Sequence, residues 1–213
     1  MQTNKGQSIE DASMKMIENE VGNHGFNEKE WPIVRRIIHS TADFDFAGKN
    51  KIIFSNSAIE NGVKALKNGC NVVVDVNGVI GGLNKQNPKD FNNKIICNIS
   101  SPEIMELAKK QGKTRSQVSM RVASADIEGG IVVIGNAPTA LLELIQMVKE
   151  GIVKPALIIG IPVGFISSPE SKEELSHITE VPFITNIGRK GGSSSAAAIV
   201  NALYKLLRVN LSS

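Results

Sequence analysis

The stretch NVVVDV, residues 71–76, decides the fold. A strand that faces water on one side alternates apolar and polar residues. One that is covered on both faces reads as an unbroken apolar run. NVVVDV is of the second kind. KIIF (51–54), KIICNI (94–99), IVVIG (131–135), ALIIG (156–160) and FITNI (183–187) read the same way. These runs predict strands of a mainly parallel sheet.

The segments between them carry helix signals. Asn56 to Lys67 places Ile59, Val63 and Leu66 at helical spacing, and Gly69 ends it. Ser101-Pro102-Glu103 supplies a cap followed by proline at the first helical position, with Gly112 as the stop. Pro138 to Lys149 is closed by Gly151, and Ser193 to Leu207 has Ala196, Ile199, Val200, Leu203 and Leu207 as its buried stripe. Two helices precede the first strand. Ser8-Ile9-Glu10-Asp11 resembles a capping box for the first, and Asn27-Glu28-Lys29-Glu30 can start the second. Pro32 then belongs in the first turn or kinks the helix. With no repeat or linker in view, this order predicts one doubly wound α/β domain over residues 1–213. Ligands of such sheets bind beyond the carboxyl ends of the strands.

Composition narrows the class. The chain has 213 residues, 41% hydrophobic and only 4% aromatic, so its core must be aliphatic. A net charge of +3 is too mild to imply nucleic acid. Cys70 and Cys97 form no CxxC and have no histidine near them, so neither a metal site nor a disulfide framework is expected. The N-terminus lacks the apolar run of a signal peptide, and no stretch is long enough to span a bilayer. A cytoplasmic protein without membrane contact is the expectation.

Four glycine-rich loops follow the strands: VNGVIGGL, GNAPTAL, GIPVGF with SSPESK, and GRKGGSSSA. The last carries the most chemistry. Gly188, Gly191 and Gly192 allow close backbone approach, Arg189 and Lys190 add positive charge, and Ser193 opens a helix whose free N–H groups favour an anion. A flexible basic turn before a capped helix is the plainer reading. The Walker pattern does not fit, because Lys190 precedes the last glycines, and GxGxxG is absent. GIPVGF offers an apolar loop with the flat face of Phe165, and KTRSQVSMR (113–121) adds Arg115 and Arg121.

RRIIHSTADFDF, residues 35–46, holds one of only three histidines. If residues 33–41 are helical, Val34, Ile37, Ile38 and Thr41 form one stripe and His39 lies off it. Arg36 and Arg35 stand three and four residues before His39. Two cations oppose protonation of the imidazole, and a bound polyanion would reverse that bias, as suits a general acid. A surface histidine near a helix C-terminus is the alternative. Asp43 and Asp45 read as a metal pair or as turn residues, with Phe44 and Phe46 packing inward.

RRIIHSTADFDF, GNAPTAL, IGIPVGFISSPESK and GRKGGSSSAAAIVNAL, in this order and spacing, resemble the precorrin-8X methylmutase family, also called precorrin isomerase, over about Ser8 to Leu207. The resemblance implies an isomerase of cobalamin (corrin ring) biosynthesis. It would move a methyl group from C-11 to C-12 of precorrin-8X or cobalt-precorrin-8, giving hydrogenobyrinate or cobyrinate. It implies no cofactor and no metal of the enzyme's own. It also implies a flavodoxin-like three-layer sandwich, a homodimer with sites near the subunit interface, and an acidic tetrapyrrole as substrate. His39 falls on the family's general acid. Ser13, Arg36, Arg115, Arg189 and Lys190 fall on substrate-binding positions. Gly78 stands where the family often has methionine, Met14 where it has phenylalanine, and Ala42 where glycine is common. A non-catalytic tetrapyrrole carrier and an α/β binder of a phosphorylated ligand are the alternatives.

Overall fold

The computed structural model describes residues 3–212, and the terminal positions 1, 2 and 213 of the expected domain lie outside them. Two helices come first, α1 (Asn4–Val21) and α2 (Trp31–Thr41), then a short 3-10 turn, Phe44–Ala47. The chain continues through β1 (Ile52–Phe54), α3 (Ala58–Lys67), β2 (Val72–Val74), α4 (Asn77–Gly82), α5 (Gln86–Asp90) and β3 (Ile95–Ile96). Next come α6 (Pro102–Gln111), α7 (Arg115–Val122), α8 (Ser124–Ile127), β4 (Ile131–Ile134) and α9 (Pro138–Lys149). β5 (Leu157–Gly160), α10 (Ser168–Ser176), β6 (Phe183–Asn186) and α11 (Ser193–Ser212) complete it.

All six apolar runs form strands, and they make one six-stranded sheet in the order β1-β6-β5-β4-β2-β3. Every neighbouring pair is parallel except β1 with β6, which runs antiparallel with Ile53 opposite Thr185. The unbroken apolar runs have the physical cause expected of them. Val72, Val74, Ile131, Val133, Leu157 and Ile159 face one core, built with α2, α3 and α11. Val73, Val132, Ile134 and Ile158 alternate with them and face a second core, built with α9 and Leu175 of α10. A strand sandwiched in this way has no side that could be polar.

The helix that matters most for the site is α2. Val34, Ile37 and Ile38 are fully buried and lock it against α11, which contributes Ala196, Ile199, Val200 and Leu203 to the same core. Burying each of the larger aliphatic side chains contributes roughly 1.5–3 kcal/mol. Pro32 sits in the first turn, and the Asn27 side chain accepts from the N–H groups of Lys29 and Glu30 just ahead of it.

Three local expectations need correction. The first helix starts at Asn4, with Thr3 as its cap accepting from the Gly6 N–H; Ser8 lies inside the helix and donates to the Asn4 carbonyl. Phe44 is 39% exposed, and only Phe46 packs inward, because the 3-10 turn presents one of the pair to solvent. The final helix runs past Leu207 to Ser212. Cys70 and Cys97 are free thiols, and burial pushes the Cys70 thiol up to about 11. No described helix is long and apolar enough to cross a membrane.

Candidate active site

The loops at the carboxyl ends of the parallel strands are tied to one another. Asp75, fully buried just past β2, accepts from the backbone N–H groups of Gly135, Asn136 and Ala137 at 2.7–3.0 Å. It thereby fixes the GNAPTAL turn that launches α9. Burial raises its carboxyl above the usual range, and these three donors oppose that. The GIPVGF and GRKGG loops are zipped together by Gly164 N–H to the Arg189 carbonyl (3.1 Å) and Gly192 N–H to the Ile161 carbonyl (2.9 Å).

A cavity of about 860 Å³ opens beside α2 and lies in the size range of small-molecule sites. His39 and Arg36 line it together from α2. Gln7 and Glu10 come from α1, Leu83, Asn84 and Lys85 from the α4–α5 turn, and Asn201, Lys205 and Arg208 from α11. Its lining carries the cations Arg36, Lys85, Lys205 and Arg208 and one carboxylate, Glu10, while Arg208 also pairs with Asp90 just outside it. Glu10 pairs with Arg36 at 3.0 Å and lies 3.6 Å from the Lys205 ammonium. His39 is half-buried, and neither of its ring nitrogens has a hydrogen-bond partner among the described residues. Arg35 points elsewhere, to Glu18 of α1 at 3.0 Å, so neither arginine stands as a bare charge beside the imidazole.

The other sequence-predicted residues are spread out. Ser13 is on α1, one turn beyond Glu10, with its hydroxyl donating to the Ile9 carbonyl at 2.8 Å. Arg189 is exposed and lies over the Phe165 ring, 5.3 Å from its centroid. Lys190 is engaged by two carboxylates, Asp43 and Asp45, both at 2.7 Å, which hold its ammonium above the usual lysine range. Arg115 opens α7, after a capping box of Thr114 and Gln117. It lines a separate depression of about 510 Å³ with Met105 and Lys109. α7 belongs to the core on the far side of the sheet from α2, so one copy of the chain does not bring Arg115 to the cavity.

Sequence reasoning missed Glu10, Lys85, Asn201, Lys205 and Arg208, which line this cavity. Asn201, Lys205 and Arg208 recur at four and three residues on α11, one polar stripe beside the apolar one, and that spacing was the available signal. Among the described residues no group of three or more His, Cys, Asp or Glu is placed to hold a metal ion.

Two of the departures from the family pattern have local explanations. A Cβ at Gly78 would stand 2.9 Å from the Ser193 hydroxyl, so this glycine lets the start of α11 pack close and does not line the cavity. Ala42 caps α2 in the left-handed region at φ 53°, where glycine has no steric cost. Ala42→Gly removes a strain of roughly 1–2 kcal/mol and gives back part of it as unfolded-chain entropy. Urea unfolding is expected to show a gain of about 0.5–1 kcal/mol; a loss would mean that Ala42 is not strained.

Comparison with known proteins agrees with this fold. The family model described as precorrin-8X methylmutase matches residues 8–206. The cobalt-precorrin-8 methylmutase of Priestia megaterium is 50% identical over 197 residues, covering 92% of this chain and 86% of that one. That of Leptospira interrogans is 45% identical over 211 residues, covering 96% and 95%. The crystal structure of precorrin-8X methylmutase from Thermus thermophilus superposes with a TM-score of 0.88 at 38% identity, covering 96% of this chain and 98% of that one. With a six-stranded mostly parallel sheet matched to a solved member and similarity along nearly its whole length, the chain belongs to the precorrin-8X methylmutase family of isomerases.

Proposed function

We propose that the chain moves a methyl group from C-11 to C-12 of precorrin-8X or cobalt-precorrin-8 in cobalamin biosynthesis, with His39 as general acid and no cofactor. The observation that carries this reading is the placement of His39 and Arg36 on one wall of a cavity rich in cations. The substrate is a flat apolar macrocycle with carboxylates around its edge. Guanidinium groups bind carboxylates in a two-pronged way, and lysines act as point charges. Held so, the ring presents one region to the imidazole. The reaction is a rearrangement, so the protein's work is to position the ring and to hold a proton against it.

Arg36 lines this cavity in the proposal, Ser13 binds the substrate from one turn beyond the lining residue Glu10, and Arg189 with Phe165 contacts the ring from the GIPVGF side. Lys190 contributes by holding the loop and not by binding substrate, since its charge is already matched by Asp43 and Asp45. We place the protein in the cytoplasm as one domain and as a homodimer. Val163, Phe165 and Ile166, at 46%, 78% and 87% exposure, form an apolar loop of the kind that a second copy covers. Arg115 keeps its substrate role only if that second copy brings it to the cavity.

The test is an absorption time course with precorrin-8X, with and without cobalt in the ring. Methyl migration changes the conjugated system, so turnover gives a new spectrum, and the faster substrate names the natural one. A spectral shift that saturates at stoichiometric ligand would instead make the protein a carrier. Light scattering on the same preparation reads the mass, and a monomer would remove the dimer from the proposal.

A further inference from the structure

Lys172 is a charged residue that neither the cavity nor the proposed chemistry uses. It lies on α10 and is 1% exposed. A buried ammonium normally pairs with a carboxylate, because burial without one is costly. Lys172 has none among the described residues. Its Nζ donates instead to the Asn186 side-chain oxygen at 3.2 Å and to the Lys190 carbonyl at 2.7 Å. Asn186, fully buried at the end of β6, donates its amide to the same Lys190 carbonyl and to that of Ile187, both at 2.9 Å. Two side chains thus converge on one backbone oxygen at the middle of the GRKGG loop. Burial takes the Lys172 ammonium down to about 8, so it remains mostly protonated at neutral pH and donates as a cation.

The residue whose carbonyl is held is also the one whose side chain reaches furthest. The Lys190 ammonium bridges Asp43 and Asp45, and Asp43, four residues after His39, caps the turn that follows. We propose that Lys172 is a positioning residue of this site: it fixes the Lys190 carbonyl, and Lys190 in turn ties the glycine loop to the turn that follows His39. The arrangement explains why a cation is kept in an otherwise neutral pocket. A backbone carbonyl at a loop rich in positive-φ glycines has no secondary structure to hold it, and a charge-assisted donor supplies that hold.

The experiment compares Lys172→Met, Lys190→Met and the double variant with wild type. The first readout is NMR and rests on no assumption about the reaction. Lys172→Met is expected to shift the amides of Gly188, Lys190, Asp43 and Asp45 and the ring protons of His39, while the amides of α6 and α7 stay. The second readout is turnover of the tetrapyrrole, which rests on the isomerase reading. Lys172→Met is expected to lower it ~10- to 100-fold, the size of a small misplacement at a site. The double variant should do little more than the larger single effect, because both act through one contact chain. Shifts confined to α10, or spread evenly over the chain, would overturn the proposal. So would fully additive losses in turnover. If wild type itself turns nothing over, the isomerase reading fails while the NMR result still decides the role of Lys172.

Discussion

His39→Ala is expected to lower methyl migration by about a hundred- to ten-thousand-fold, the usual contribution of one general acid. The tetrapyrrole should still bind with nearly wild-type affinity. The two effects separate because the groups separate. The cations that would hold substrate carboxylates are Arg36, Lys85, Lys205 and Arg208, and none of them depends on the imidazole. His39 itself has no hydrogen-bond partner to lose among the described residues.

The fold should not notice the change. The stripe that packs α2 is Val34, Ile37 and Ile38, and His39 lies beside it, half-buried. Alanine is a better helix former than histidine, so stability should stay within about 0.5 kcal/mol. The measurement is a pair of titrations: absorbance at equilibrium for binding, and the time course for conversion. Conversion within tenfold of wild type would end the general-acid role. A loss of binding that matches the loss of rate would make His39 a contact and not an acid.

Some of this was legible in the sequence and some was not, for physical reasons. The four inner strands are buried on both faces and the edge strands β1 and β3 partly so, and their runs of Val, Ile and Leu had no competing pattern. Pro102 and Pro138 open α6 and α9 as their position signals require, and Gly112 closes α6 in the left-handed conformation. The start of α1 was misread because Ser8 and Asp11 imitate a cap, while the real one, Thr3, is followed by polar residues and a glycine. β1 gave no sign of running antiparallel, since the same four residues read alike in either direction. The site was legible only within one helix. Arg36 and His39 are near neighbours in sequence, but the rest of their cavity comes from α1, the α4–α5 turn and α11. The pairing of Lys190 with Asp43 joins residues 147 positions apart. Viewed separately, one looked like an anion site and the other like a turn or a metal ligand. Only folding shows that they are each other's partners.

Gly191→Ala tests how tightly that loop is built, and its expected cost is the largest of any stability change argued above. Gly191 has φ 153°, and a Cβ there would lie 2.3 Å from the Ile161 carbonyl oxygen. Backbone is on the other side of that contact, so no side chain can swing away. The backbone strain costs roughly 1–3 kcal/mol and the forced shift about as much again, giving about 2–6 kcal/mol in all. Gly151 is the control. It also has positive φ, 68°, but nothing lies within 4 Å of its missing Cβ. Gly151→Ala should therefore cost only the backbone part, roughly 1–2 kcal/mol. Urea unfolding of the two variants separates the contributions. Turnover adds a second distinction: Gly191 sits between the Lys190 carbonyl held by Lys172 and the Gly192 N–H bonded to Ile161, so its displacement moves the loop that is tied to the end of α2. Gly191→Ala should lose activity well below its unfolding midpoint, and Gly151→Ala should keep it. Equal costs for the two variants would mean that the loop yields to the added methyl, and the tight approach of GRKGG to GIPVGF would then not be what holds the site.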